Sequence, residues 1–196
     1  MAPDADLQET VGLPEALAAD AAALAYAAFE DFYSLFSSDR ERVLAAVARQ
    51  FLSPSELNQL VAAFEAGRLV GIASYYELGE MRERQMEGAR SLFAIAEDTR
   101  ATAAALRAFG RNFPATAPEG GYIARFAVAA DRRGSGLAAR LLAAVESAIT
   151  RRGWTPVQLH VRRDNARALA FYAKCGYVAT GPLDLGYRLL TKHAAR

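Results

Sequence analysis

Two stretches in the last third of the chain hold residue types that do chemistry. The first, Phe126-Ala-Val-Ala-Ala-Asp-Arg-Arg-Gly-Ser-Gly-Leu-Ala-Ala-Arg-Leu-Leu142, reads as a strand, a Gly-rich turn and a helix. Such a junction presents free backbone N–H groups at the positive end of the helix dipole. Small residues there let an anion approach the backbone closely. A phosphate or pyrophosphate site is the implied chemistry, and a plain tight turn is the bland alternative. The second stretch, Asn165 to Tyr177, reads as a capped amphipathic helix. Ala168, Phe171 and Cys175 share its core side, Asn165 suits the N-cap and Gly176 the stop. That account leaves Tyr172 over, and a phenol stays protonated at neutral pH and can donate a proton or hydrogen bond.

Between the two stretches lies His160, in the strand segment Leu159-His160-Val161. An imidazole titrates near neutrality and could serve as a base. A hydrogen-bonded histidine on a half-buried strand fits as well. Cys175 could be a nucleophile, but it has no sequence-adjacent base and follows an apolar helix face. A small buried hydrophobe is the better reading. His193 belongs to an exposed tail. Two histidines and one cysteine give no metal-ligand spacing.

The Gly-rich turn admits two phosphate readings. Gly134-x-Gly136-x-x-Ala139 matches the dinucleotide fingerprint, with Asp164 at the end of the next strand as a ribose ligand. Too little chain follows Asp164 for the remaining βαβ units. The other reading uses Arg133-x-x-Gly136-x-Ala138. This resembles the R/Q-x-x-G-x-G/A signature of the GNAT acetyltransferase superfamily, although Ala130 stands where a proline is frequent. Asn165-Ala-Arg-Ala168-Leu-Ala-Phe171-Tyr172-Ala-Lys-Cys-Gly176-Tyr177 resembles that family's second motif, N-x-x-A-x-x-F/L-Y-x-x-x-G-F/Y, at every specified position. The separation leaves room for one helix and one strand.

The resemblance implies an N-acetyltransferase with acetyl-coenzyme A as co-substrate and a primary amine as acceptor, attacking directly in a ternary complex. Arg133, Gly134, Ser135, Gly136, Leu137 and Ala138 would cradle the pyrophosphate. Phe126 and Val128 would pair with the pantetheine arm through their backbones, and the Val128 N–H would meet the oxyanion. Asn165 would hydrogen-bond near the pantetheine or sulfur, and Tyr172 would serve the leaving thiolate. The base stays open between His160, Tyr122, Glu119 and water. His160 stands where the family's ribosomal-protein N-terminal acetyltransferases carry a glutamate. The acceptor groove of the family lies between the first two helices, the link from third to fourth strand and the closing hairpin. Here those segments carry Phe29, Phe32, Tyr33, Tyr75, Tyr76, Phe93, Phe109 and Phe113. A small amine, an antibiotic, a peptide N-terminus and a protein lysine all remain open as acceptors. A non-catalytic acetyl-coenzyme A-binding module is the alternative, with a dinucleotide-binding protein behind it.

These residues need a frame. Residues 7–13 read as a first strand. Pro14 suits the first turn of a helix. Leu17, Leu24, Ala28 and Leu35, with Phe29, Phe32 and Phe36 offset by one turn, fall at helical spacing. Ser38 with Glu41 reads as a capping box for a helix to about Phe51. Residues 58–64 and 68–78 read as strands joined by a hairpin turn at Glu65-Ala66-Gly67. Residues 79–120 read as a mostly helical insertion, a departure from the usual short link, and its position suggests a lid over the acceptor. Strands at 122–129, 157–161, 177–180 and 187–191 follow, with helices at 137–152 and 165–174. The expected fold is α/β (α+β): a GNAT-like mixed sheet of about six to seven strands flanked by helices, with a helical insertion between strands 3 and 4.

Composition agrees with one globular domain over residues 1–196. The chain carries 23 Lys and Arg against 22 Asp and Glu, a net charge of +1. A nucleic-acid or anionic-membrane binder needs a basic surplus. One cysteine excludes an internal disulfide. The acidic, polar amino terminus is unlike an export signal. The most apolar stretch, from Ala16 to Phe36, is broken by Asp20, Glu30 and Asp31, so no membrane span is expected. A soluble cytoplasmic protein follows, as a monomer or as the homodimer that many relatives form.

Overall fold

The computed structural model describes residues 5–193. The start of the acidic amino-terminal stretch and the end of the basic tail lie outside the described residues. Strands β1 (Asp6–Val11), β2 (Gln59–Glu65), β3 (Arg68–Glu77), β4 (Gly121–Val128), β5 (Val157–Arg162), β6 (Val178–Thr180) and β7 (Tyr187–Lys192) form one sheet in the order β1-β2-β3-β4-β5-β7-β6. All neighbours are antiparallel except β4 and β5. On one face lie α6 (Leu137–Thr150) and α7 (Ala166–Lys174). On the other lie α1 (Glu15–Ala28), the single turn α2 (Glu30–Tyr33), α3 (Arg40–Gln50) and α4 (Met81–Phe93). Cover on both faces explains why β2 and β3 are buried at nearly every position and read as continuous apolar runs. No helix among the described residues is long and apolar enough to cross a membrane.

Three local expectations need correction. The first helix does not run on to Phe36; it stops at Phe29, whose φ of −147° and ψ of 42° leave the helical region. Its buried side is Ala18, Ala21, Ala22 and Ala25 rather than Leu17, Leu24 and Ala28. Small side chains let the helix lie close against the sheet. Asp39, not Ser38, caps α3, accepting from the N–H groups of Glu41 (3.0 Å) and Arg42 (3.1 Å). Ser38 is drawn instead to the insertion, where Glu97 accepts from its N–H (3.1 Å) and Oγ (3.0 Å).

The insertion is helical as expected, in two pieces, α4 and α5 (Thr99–Gly110). It is fastened to the helical layer by Ser37 Oγ donating to Glu97 (2.9 Å), Thr102 Oγ1 to Leu35 O (3.3 Å) and Arg42 to Ile95 O (3.3 Å).

β4 decides the shape of the site. Ser74 of β3 faces Arg125, and Tyr75 faces Ile123, so Ala124 is an extra residue without a partner. A bulge of this kind bends its strand. Beyond Gly121 and Tyr122, β4 no longer pairs with β5, and a cleft opens between them. Arg125 holds the bulge: its Nη1 donates to Ala124 O at 2.8 Å, its Nε to Tyr33 Oη at 3.1 Å and its Nη2 to Glu56 at 2.9 Å. The Phe29 ring centre lies 4.4 Å from the guanidinium. Arg125→Met strands the Glu56 carboxylate and is expected to cost about 3–5 kcal/mol in urea unfolding. Adding Glu56→Leu should return at least about 1 kcal/mol, because the stranded charge is then gone; a double variant no better than the single would refute this account.

Candidate active site

β4 leads through a short 3-10 turn, Ala130–Arg132, into Gly134, Ser135 and Gly136, and then α6. Gly136 is the N-cap with φ 87°, and no side chain caps the helix there. A left-handed conformation suits glycine, and it leaves the amides facing outward. Among the described residues, the N–H groups of Gly134, Gly136 and Ala138 have no hydrogen-bond partner. A Cβ at Gly134 or Gly136 would meet nothing within 4 Å. These are the free donors of an anion site at a helix N-terminus. Leu137 turns its side chain into the core, 3% exposed. Ser135 Oγ donates to Arg132 O at 2.8 Å. Arg133 is exposed. The turn is clamped to the β2–β3 hairpin by Arg132 paired with Glu65 and by Arg68 paired with Asp131 at 2.8 Å.

The cleft offers a second set of donors. Ala129 donates to Val70 O at 2.9 Å, toward β3. Amide directions alternate along a strand, so the N–H groups of Phe126 and Val128 point the other way, into the gap left by β5. Free amides at the helix end and free amides along β4 therefore share one cleft. A phosphate-bearing ligand with an extended amide arm fits both.

At the inner end of the cleft lies a pocket of about 680 Å³. Tyr122, Phe126, His160, Asn165 and Tyr172 all line it. Asn165 is also the expected N-cap: its Oδ1 accepts from the Ala168 N–H at 3.0 Å, which leaves its amide NH2 to donate. Tyr172 is 6% exposed, packed edge-on against Phe126 (6.1 Å) and Tyr177 (5.5 Å). Burial, with Cys175 and Glu146 nearby, raises its phenol well above the ordinary range. It holds its proton.

Tyr122 and His160 meet: Tyr122 Oη lies 2.8 Å from His160 Nδ1. His160 Nε2 lies 2.9 Å from Pro114 O. A carbonyl only accepts, so Nε2 carries the hydrogen and Nδ1 accepts from the Tyr122 hydroxyl. Both imidazole nitrogens are thus engaged. Burial lowers the His160 pKa, against the opposing bond to Pro114. Burial raises that of Tyr122. Glu119 is exposed and does not line the pocket. Cys175 is half-buried, and burial raises its thiol pKa; an inert thiol is the result.

Of the aromatic residues expected around the acceptor, Phe29, Phe32, Phe109 and Phe113 line the pocket. Tyr33 lies behind it on Arg125, and Tyr75 faces the far side, donating to Glu9 at 2.6 Å. Tyr76 packs on Tyr122 at 5.4 Å and Phe93 on Phe36 at 5.5 Å. Arg125 and Glu56 also line the pocket, and sequence reading passed over both. The available signal was an arginine inside the apolar run Tyr122-Ile-Ala-Arg125-Phe126, since a charge in a central strand needs a buried partner. Burial works against the Arg125 charge, and Glu56 and Tyr33 more than offset it. Asp164, the ribose ligand of the dinucleotide reading, is exposed and paired with Arg162 at 2.6 Å.

Comparison with known proteins came to the same region. The profile of the acetyltransferase (GNAT) family matches residues 22–177. No curated protein sequence matches the chain. Among solved structures, one described as an acetyltransferase has a TM-score of 0.71 at 20% identity, over 97% of this chain and 100% of its own. An N-acetyltransferase from Staphylococcus aureus Mu50 has a TM-score of 0.68 at 17% identity, over 94% of this chain and 99% of its own. The PaiA N-acetyltransferase of Thermoplasma acidophilum, in complex with coenzyme A, has a TM-score of 0.56 at 15% identity, over 96% and 99%. At these identities the likeness is one of fold.

The buried histidine has a consequence for stability. Its folded pKa lies below the ordinary 6.5, so the unfolded chain binds the proton more readily. The stability tied to neutral His160 is complete above pH 6.5 and is lost as pH falls below it. Thermal unfolding from pH 7.5 down to 5.5 should show wild type losing up to about 1.4 kcal/mol per pH unit more than His160→Gln. Parallel curves for the two proteins would show that His160 is not the group responsible.

Proposed function

The chain belongs to the acetyltransferase (GNAT) family, and on that premise we propose that it transfers an acetyl group from acetyl-coenzyme A to a primary amine by direct attack in a ternary complex. One observation carries the reading. Unpaired amides run along β4 and the α6 N-terminus toward a pocket where two phenols and a neutral imidazole converge.

Each residue has a role that its surroundings support. The N–H groups of Gly134, Gly136 and Ala138, with the Arg133 side chain, hold the pyrophosphate. Leu137 anchors that turn in the core, and Ser135 braces it on the surface through Arg132 O. The Phe126 backbone pairs with the pantetheine arm as an added strand would. The Val128 N–H meets the oxyanion of the thioester. Asn165 offers its NH2 beside the sulfur.

An alkyl amine with a pKa of about 10 is mostly protonated at neutral pH, so only its neutral fraction attacks. Its nitrogen forms the C–N bond as the C–S bond breaks. Tyr122 takes the proton released by the nitrogen while passing its own to His160 Nδ1. Pro114 O, bonded to Nε2, stabilises the imidazolium that results. Tyr172 gives its proton to the departing thiolate; once the products leave, His160 returns a proton through Tyr122 to solvent and Tyr172 takes one up from it. His160 acts through Tyr122 rather than alone, which differs from a glutamate-type base at that position.

The reading is tested by Tyr172→Phe, which keeps the ring and removes the proton. Its kcat is expected to fall by about a hundredfold or more, with the calorimetric Kd for acetyl-coenzyme A unchanged. Tyr122→Phe should lower kcat by about tenfold, while the fall in rate set by protonation of the amine itself stays in place. Full turnover in Tyr172→Phe would exclude it as the proton donor. Acetyl-coenzyme A binding without thiol release from wild type, with any amine, would favour the non-catalytic module instead.

A further inference from the structure

We infer that the acceptor is a compact amine with an aromatic, apolar body, bound in an aromatic-walled pocket, and neither a peptide chain nor a polyamine; this rests on the transferase reading above.

The three segments that frame the acceptor side do not stand apart as groove walls. They meet in one aromatic cluster. Phe113 from the end of the insertion stacks on Tyr187 at the start of β7, with ring centres 3.9 Å apart and planes 15° apart. Phe29, from the break between α1 and α2, sits edge-on to Tyr187 at 6.1 Å and against Phe109 at 5.7 Å. Backbone closes the same seam. Tyr187 donates its N–H to Asn112 O at 3.0 Å. Gly186 fits so closely that a Cβ there would lie 3.1 Å from the Asn112 Cβ. An extended peptide needs partners for its own amides, and across this seam the facing backbones have bonded to each other. A peptide buried without such partners would leave its amides unsatisfied, at a cost no ring contact offsets.

The polar lining argues against a second charge on the ligand. The charged side chains that line the pocket are Glu56, Arg125 and Arg162. Glu56 and Arg125 neutralise one another at 2.9 Å, and Arg162 is paired with Asp164 and Asp31. His160 has both nitrogens engaged. A second ammonium would enter an aromatic chamber with no uncommitted carboxylate to meet it. An aromatic ring finds edge-on and stacked partners throughout.

The test uses the full chain and three acceptors at equal concentration: phenethylamine, spermidine, and a short peptide with a free N-terminus and one lysine. Thiol release is the readout. The kcat/KM for phenethylamine should exceed that for each of the others by at least about tenfold. Phe113→Ala, which opens the cluster, should raise the phenethylamine KM by about tenfold while the Kd for acetyl-coenzyme A holds. Phe113→Leu, a milder change, should move KM in the same direction. Spermidine or peptide turned over as well as phenethylamine overturns the inference, as does an unchanged KM in both folded variants. If acetyl-coenzyme A binds but no amine releases thiol, phenethylamine is titrated calorimetrically into the coenzyme A-loaded protein. Binding there upholds the pocket assignment and counts against the transferase chemistry; no binding overturns the pocket assignment. Failure to bind acetyl-coenzyme A overturns the transferase reading itself.

Discussion

A buried ion pair organises this molecule. Arg125 and Glu56 are each 8% exposed, in a setting where an isolated charge would be very costly. They persist because each supplies what the other lacks, and because Tyr33, the Ala124 carbonyl and the Phe29 ring take up most of the remaining guanidinium surface. The pair is worth little as stabilisation measured against an apolar isostere. Its value is positional. It fixes the extra residue in β4, and the bend at that residue turns the strand away from β5. Without the bend, the amides of Phe126 and Val128 would be spent on sheet pairing, and no cleft would lead to the Gly136 turn.

Burial then sets the chemistry of the pocket without any net charge. Burial raises the phenols of Tyr122 and Tyr172 further above neutrality, so both hold their protons. The imidazole stays neutral for the same reason. A protonated phenol and an unprotonated imidazole are thus both favoured by a single physical cause acting on different residue types. The Pro114 carbonyl adds direction by selecting the tautomer. It belongs to the loop after α5, so the orientation of the imidazole depends on a segment outside the sheet.

The two motifs were legible because their geometry is local. A Gly-rich turn before a helix, or an asparagine at a helix start, needs only its own neighbours to act. Gly136 and Asn165 therefore stand where sequence reading put them. The strands and the helical insertion were legible from apolar runs and breakers. What escaped depends on distant partners. Ser38 has the composition of a helix cap, but Glu97, far along the chain, holds it, and the cap passes to Asp39. The break at Phe29 follows from packing of aromatic rings on Arg125, which no local periodicity reports. Glu56 and Arg125 pair across the helical layer and the sheet, and neither neighbourhood names the other.

The insertion divides the molecule in a way that bears on its descent. The amide cleft, Asn165 and Tyr172 belong to the sheet and its two helices on one face. Phe109 and Phe113, which close the pocket, belong to a segment fastened from outside by a few side-chain bonds. The aromatic wall and the amide cleft are therefore largely on separate pieces of chain, joined where the Pro114 carbonyl meets His160. Side chains of the first can change without altering the backbone amides of the second. Lineages sharing this frame are free to reshape the pocket wall by rewriting a single excursion of the backbone.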